Sequence, residues 1–187
     1  AEARRRAERH LADRTPLHPS LSSTILSLAA IDGPSSLFEK YISSMTDGGS
    51  RADQIRFRNS LAYFTDPTLT QRALDYATSS EVRSQDAPDI IAALMAQPAT
   101  APVTWEHVKR HWTSLQKSLG VFQGLPLVVG STRNFCDLAS RNDVERFLSD
   151  HPIRGTERSA QQALETIDRC IATRTLQSKN LAEFLGN

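Results

Sequence analysis

An all-α fold is predicted by three features of this 187-residue sequence. Apolar residues recur at intervals of three and four, the period of one helical face, along nearly the whole chain. Turn-forming clusters (Pro16-Leu17-His18-Pro19, Asp32-Gly33-Pro34, Asp47-Gly48-Gly49-Ser50) cut that pattern into roughly ten segments of about 10–18 residues. Aromatic residues are only 6% of the chain, while Ala, Leu, Ser and Arg abound, so strand-forming material is scarce.

Taken in order, AEARRRAERHLADR is helix-forming and already periodic at its first residue, with Leu11 and Ala12 seeking a partner. A natural domain seldom starts inside a helix, so residue 1 is expected to be a cut point in a longer chain. LSSTILSLAAI follows, with Leu21, Ile25 and Leu28 expected on its buried face. Leu37, Tyr41 and Met45 mark the next helix. Phe57, Leu61 and Phe64 then stand at i, i+4 and i+7. Asp66-Pro67 reads as an N-cap with proline at the first helical position, ahead of Leu69, Ala73 and Tyr76. Ser84 or Asp86 is expected to cap a helix carrying Ile90, Ile91, Leu94 and Met95.

Thr104 is read as opening one continuous helix through Trp105, Val108, Trp112, Leu115 and Leu119. Leu125-Pro126-Leu127-Val128-Val129 has strand character, but a lone strand would have no partner. Asn142 precedes Val144, Phe147 and Leu148. Thr156 starts a final segment with Ala160, Ala163, Leu164, Ile167 and Ile171, and Leu181, Phe184 and Leu185 close the chain. Helix pairs spaced roughly 35–45 residues apart imply an α-solenoid of antiparallel HEAT- or armadillo-like pairs.

Composition narrows function. Twenty-two basic against 21 acidic side chains give a net charge of +1, so the basic excess of a nucleic-acid binder is missing. No run approaches the ~20 apolar residues of a membrane span, and the first residues do not form a targeting signal. Cys136 and Cys170 are too few for a disulfide framework, and each reads as an inert, buried thiol.

His107 and His111 stand at i, i+4 and could share a zinc ion. A zinc-peptidase helix needs Glu directly after the first His as general base, and Val108 stands there instead. The pair reads as two histidines flanking a packed face, with no metal. No G-x-S-x-G elbow, dinucleotide fingerprint or P-loop is present, so no catalytic residue is assigned. Arg83, just before a helix start, can meet a carboxylate of a partner molecule. The competing reading pairs it with Asp86 or Glu81 while Ser84, Gln85 and Asp86 cap the helix.

The order of several short motifs resembles one family. Ile31-Asp32-Gly33 followed by Leu37-Phe38, Ser60-Leu61-Ala62 followed by Asp66-Pro67, and Val82-Arg83-Ser84-Gln85-Asp86 occur in turn. WEHVKRHW (residues 105–112), Val144-Glu145-Arg146-Phe147, Glu157-Arg158 and Gln162–Ile167 complete the series. The chain resembles the C-terminal helical, ERAP1-C-like domain of M1 (gluzincin) zinc aminopeptidases.

That resemblance implies a single, non-catalytic domain over residues 1–187, with the β-sandwich and catalytic domains upstream. The catalytic domain would hold the zinc, and this segment would need no cofactor. The domain would cap the active-site cleft and help admit and position peptides, so its partners would be its own catalytic domain and peptide substrates. Arg83, Gln85, Asp86 and Tyr63 are the residues it offers for substrate or interdomain contact. Phe64 and Ala96 occupy the positions where antigen-processing members place peptide-anchoring arginines, so that anchor is not implied. Cys170 and the stretch around Arg174 depart from the pattern, implying altered packing of the last helix. The alternative is a free-standing HEAT-like adaptor for a protein or peptide, which should begin and end in capped, polar-faced repeats.

Overall fold

The computed structural model describes residues 2–13, 15–46, 50–119 and 124–186. Among these the chain is all-α, with eleven α-helices and two short 3₁₀ turns. Two compact units are formed, Ala1–Thr104 and Trp105–Asn187.

The first unit holds α1 (Glu2–Asp13), α2 (Ser22–Ala30), α3 (Ser35–Thr46), α4 (Arg51–Ser60), α5 (Pro67–Ala77) and α6 (Ala87–Met95). Capping chemistry fixes several starts. Ser50 accepts from the Asp53 amide and donates to its carboxylate, a reciprocal box that opens α4. The Asp66 carboxylate accepts from the Thr68 and Leu69 amides, with Pro67 at the first helical position of α5. Sequence neighbours pack together: α1 on α2, α3 on α4, α5 on α6, with α4 also touching α2 and α6. Phe38, Tyr41, Phe57 and Phe64 form the aromatic centre of the core, all fully buried.

One corner of this unit explains its glycine. Asp32 adopts a left-handed backbone (φ 55°) that ends α2, and Arg4 of α1 clamps it by donating to the Asp32 carbonyl at 2.6 Å. At Gly33 an added Cβ would lie 2.7 Å from the Phe64 ring and 2.9 Å from the Ala30 carbonyl. The ring sits in a packed core and the carbonyl belongs to a helix, so neither yields cheaply. Gly33→Ala is therefore expected to cost about 1–3 kcal/mol, read as a lower urea midpoint at unchanged m-value.

In the second unit Trp105, Val108, Trp112, Leu115 and Leu119 are all buried, as their spacing predicts. Their helix is not continuous. It starts at Ala101, breaks at His111 and resumes, giving α7 (Ala101–Arg110) and α8 (Trp112–Ser118). Thr104, read as the opening residue, is inside α7, and its hydroxyl donates to the Thr100 carbonyl.

The strand-like run at 125–129 is α9 (Leu125–Ser131), with proline in its first turn. α10 (Leu138–Asp150) begins earlier than Asn142 because Asp137 caps it through the Ser140 amide. α11 (Glu157–Leu185) is 29 residues long and packs on α9, α10 and the 3₁₀ turn Thr132–Asn134. Trp105 and Trp112 meet the Phe147 ring edge-on at 5.3 and 5.2 Å between centroids.

Three burial expectations are corrected. On α2, Ile25 is buried but Leu21 and Leu28 are exposed; Leu26, Ala29 and Ala30 supply the inward face instead. On α11 only Ala163 and Ile167 are buried, and Leu181, Phe184 and Leu185 face solvent. Cys136 and Cys170 are not inert thiols: they form a disulfide, with Cα atoms 5.3 Å apart. No helix among the described residues is long and apolar enough to cross a membrane.

Candidate functional site

A polar pocket of about 210 Å³ opens on the first unit, and the predicted Arg83 and Asp86 both line it. α4 supplies Arg51, Gln54, Ile55 and Arg58, which share one helical face at i, i+3, i+4 and i+7. The turn before α6 supplies Glu81, Val82 and Arg83, and Asp86 stands at the α6 N-terminus. Tyr76 of α5 and Met45 of α3 complete the lining.

Asp86 is the hub. Arg58 reaches its Oδ2 at 2.7 Å, with both side chains only 14% exposed. Arg83 donates to the same oxygen through Nε and Nη2, at 2.9 and 2.8 Å. Burial would raise the Asp86 carboxyl, but the bonds from Arg83 and Arg58 outweigh it and hold the group below its ordinary value. Asp86 does not cap α6 with its side chain, because both guanidiniums claim it.

Three arginines and two carboxylates leave the pocket with one net positive charge, and Arg83 remains half exposed at its rim. Such an arrangement can accept a carboxylate or carbonyl oxygen. It offers no nucleophile paired with a base.

Of the other predicted residues, Gln85 is exposed and outside the pocket lining, and Tyr63 is half-buried in the 3₁₀ turn Leu61–Tyr63, also outside it. Phe64 is fully buried and Ala96 is exposed. Arg58 and Arg51 escaped the sequence reading. The signal for them, an i, i+7 arginine pair bracketing Phe57 on α4, is common on solvated helix faces and becomes informative only once α6 lies alongside.

The His107 and His111 rings lie 4.4 Å apart between centroids, the first buried and the second exposed. Among the described residues no group of three or more His, Cys, Asp or Glu side chains could hold a metal ion.

A second polar centre stands in the other unit. Asp143 accepts from Trp105 Nε1 at 2.8 Å, Lys109 Nζ at 2.6 Å and Arg146 Nη2 at 2.9 Å. Burial would raise its carboxyl, but the three donors prevail and hold it below the ordinary carboxylate value. It lies among packed aromatics and ties α7 to α10, so its role is architectural.

Residues 1–169 match the family model for the ERAP1-like C-terminal domain. The rat endoplasmic reticulum aminopeptidase 1 is 28% identical over 160 residues, which cover 83% of this chain and 17% of that protein. Aminopeptidase 2, mitochondrial, of Saccharomyces cerevisiae is 26% identical over 70% of this chain and 14% of its own length. Mouse aminopeptidase N is 26% identical over 80% of the chain and 16% of its own length. The chain thus spans about a sixth of the curated relatives it matches. Fold, motif order and family match agree: the chain belongs to the family of ERAP1-like C-terminal domains of M1 aminopeptidases.

Proposed function

We propose that this chain works as one non-catalytic C-terminal domain of a zinc-dependent aminopeptidase, covering the active-site cleft and helping to admit and position peptide substrates. Its family membership supports the reading, and the arginine-rimmed pocket around Asp86 is the observation that carries it. The zinc would belong to an upstream catalytic domain, with this chain stacking its helix pairs in a solenoid against that domain. Positioning a substrate from a distance changes rate without any reacting group, because binding energy far from the scissile bond orients it. Arg83 would touch a peptide or the catalytic domain, with Gln85, Asp86 and Tyr63 as further contacts. Asp86, itself anchored by Arg58, holds the Arg83 guanidinium in place.

Arg83→Gln in the full-length enzyme tests this, because Asp86 keeps Arg58 and the pocket keeps its shape. The expected result is about a tenfold loss of kcat/KM for longer peptides, the worth of one charge-assisted hydrogen bond, with a single-residue reporter unchanged. Equal effects on both substrates, or none on either, would overturn the role of this pocket. An immunoblot of source cells separates domain from adaptor. A polypeptide several times larger than 20.7 kDa, co-purifying with chelator-sensitive aminopeptidase activity, supports the domain. A lone 20.7 kDa band without that activity leaves the adaptor.

A further inference from the structure

We propose that the Cys136–Cys170 disulfide is an exchange site for dithiol reductants, and that its reduction releases the distal part of α11 while the rest of the second unit stays folded. Three observations combine. The disulfide lines an open groove of about 510 Å³ together with Thr166, Arg169, Thr173 and Arg174, so a reductant can reach it. Both cysteines are half-buried rather than enclosed. Arg174 also donates to the Cys136 carbonyl at 3.5 Å, which keeps its guanidinium beside the sulfurs; Asp137, within the field of Arg174, is already engaged by the Ser140 amide.

The second consideration is what the bond holds. Ala163, Ile167, Cys170, Arg174, Gln177, Leu181 and Phe184 follow one another at alternating steps of four and three, so they form a single stripe along α11. The stripe is covered at Ala163 and Ile167, bonded at Cys170, and exposed from Arg174 onward, with Phe184 85% accessible. Arg141 pairs with Asp168, just before the disulfide. Beyond Cys170 nearly every residue is exposed, so the disulfide is the last firm attachment of a helix that runs on to Leu185. A detached helix of that length, interrupted by Thr173, Thr175, Ser178 and Asn180, is marginal in water.

The chemistry balances through two exchanges. A thiolate of the reductant attacks one cysteine sulfur, forming a mixed disulfide as the Cys136–Cys170 bond breaks and the other cysteine leaves as a thiolate. The reductant's second thiolate then attacks the mixed disulfide and expels the remaining cysteine. The chain gains two electrons and, on protonation, two protons, while the dithiol becomes a cyclic disulfide. Arg169 and Arg174 favour the departing thiolates, and a better leaving thiolate leaves faster.

The test treats the native chain with dithiothreitol, without denaturant, and follows thiol release and hydrogen exchange together. The expected result is reduction far faster than global unfolding. Amide exchange should rise about tenfold over 170–185 and stay unchanged in α10. The Arg169→Gln/Arg174→Gln variant should be reduced several-fold more slowly. Reduction only at the rate of global unfolding, equal exchange in the two redox states, or an unaltered rate in the arginine variant would each overturn the proposal. Because chemical reduction needs no cysteine variant, failure of Cys136→Ser/Cys170→Ser to fold would not obscure the result.

Discussion

Phe64→Ala is expected to lower the unfolding free energy by about 3–5 kcal/mol, the range for emptying a buried aromatic site. Phe64 is fully buried, with ring centroids 5.2 Å from Phe38 and 5.7 Å from Tyr41, both edge-on. Its backbone is extended between the 3₁₀ turn and the Asp66 cap, so the chain around it is already committed and cannot slide inward to fill the space. Gly33 opposite it was left bare to admit the ring. The Tyr41 hydroxyl donates to the Leu26 carbonyl at 2.9 Å and fixes the cluster from its far side, with burial pushing the phenol well above its ordinary value. Phe64→Leu, which keeps most of the volume, should recover more than half of the loss. Urea unfolding of the first unit's signals decides it: a loss under about 1 kcal/mol for the alanine variant would show that this core collapses freely.

Trp105→Ala is the counterpart in the second unit, again at about 3–5 kcal/mol near neutral pH. The indole is buried against Phe147, and its N–H is one of three donors on Asp143. Truncation empties the space and removes one partner from a part-buried carboxylate. The deficit should carry a pH signature. The Asp143 carboxyl is depressed in the folded chain, so its contribution is fully present above the unfolded value of about 3.9. It is lost as pH falls through the lower folded value. The variant keeps Lys109 and Arg146 on Asp143 but loses the indole bond, so less stability depends on that carboxylate. The gap between wild type and variant should therefore narrow in acid. Thermal unfolding at neutral pH and near pH 3 measures both; a gap that widens in acid would contradict the role of the indole bond.

These two cores show what the sequence makes legible. Phe57, Leu61 and Phe64 reveal their burial through spacing alone, and Asp66-Pro67 announces its helix because cap and proline both act locally. The segment 125–129 carries no such evidence: apolar on every side and rich in valine, it satisfies a buried strand and a buried helix equally. The break at His111 has no glycine or proline to mark it, so the stripe reads straight through. The disulfide was closed to spacing arguments, since two cysteines 34 positions apart meet only when α11 lies along the turn before α10. At the pocket, Arg83 and Asp86 are three residues apart and visible as a pair, whereas Arg58 arrives from another helix and needs the packed fold to be seen.

The way helices find their partners also sets an order of assembly. In the first unit α1, α3 and α5 each pack on the helix that follows, so their contacts close short loops, the condition for fast folding. Among the described residues α9 differs: Leu125, Val128 and Val129 are buried, and beyond the turn that follows it α9 packs mainly on α11, which begins at Glu157. On a ribosome, the early helices can pair as they emerge. α9 must wait with much of its apolar face uncovered until α11 has been made, and during that interval this segment most needs protection from aggregation.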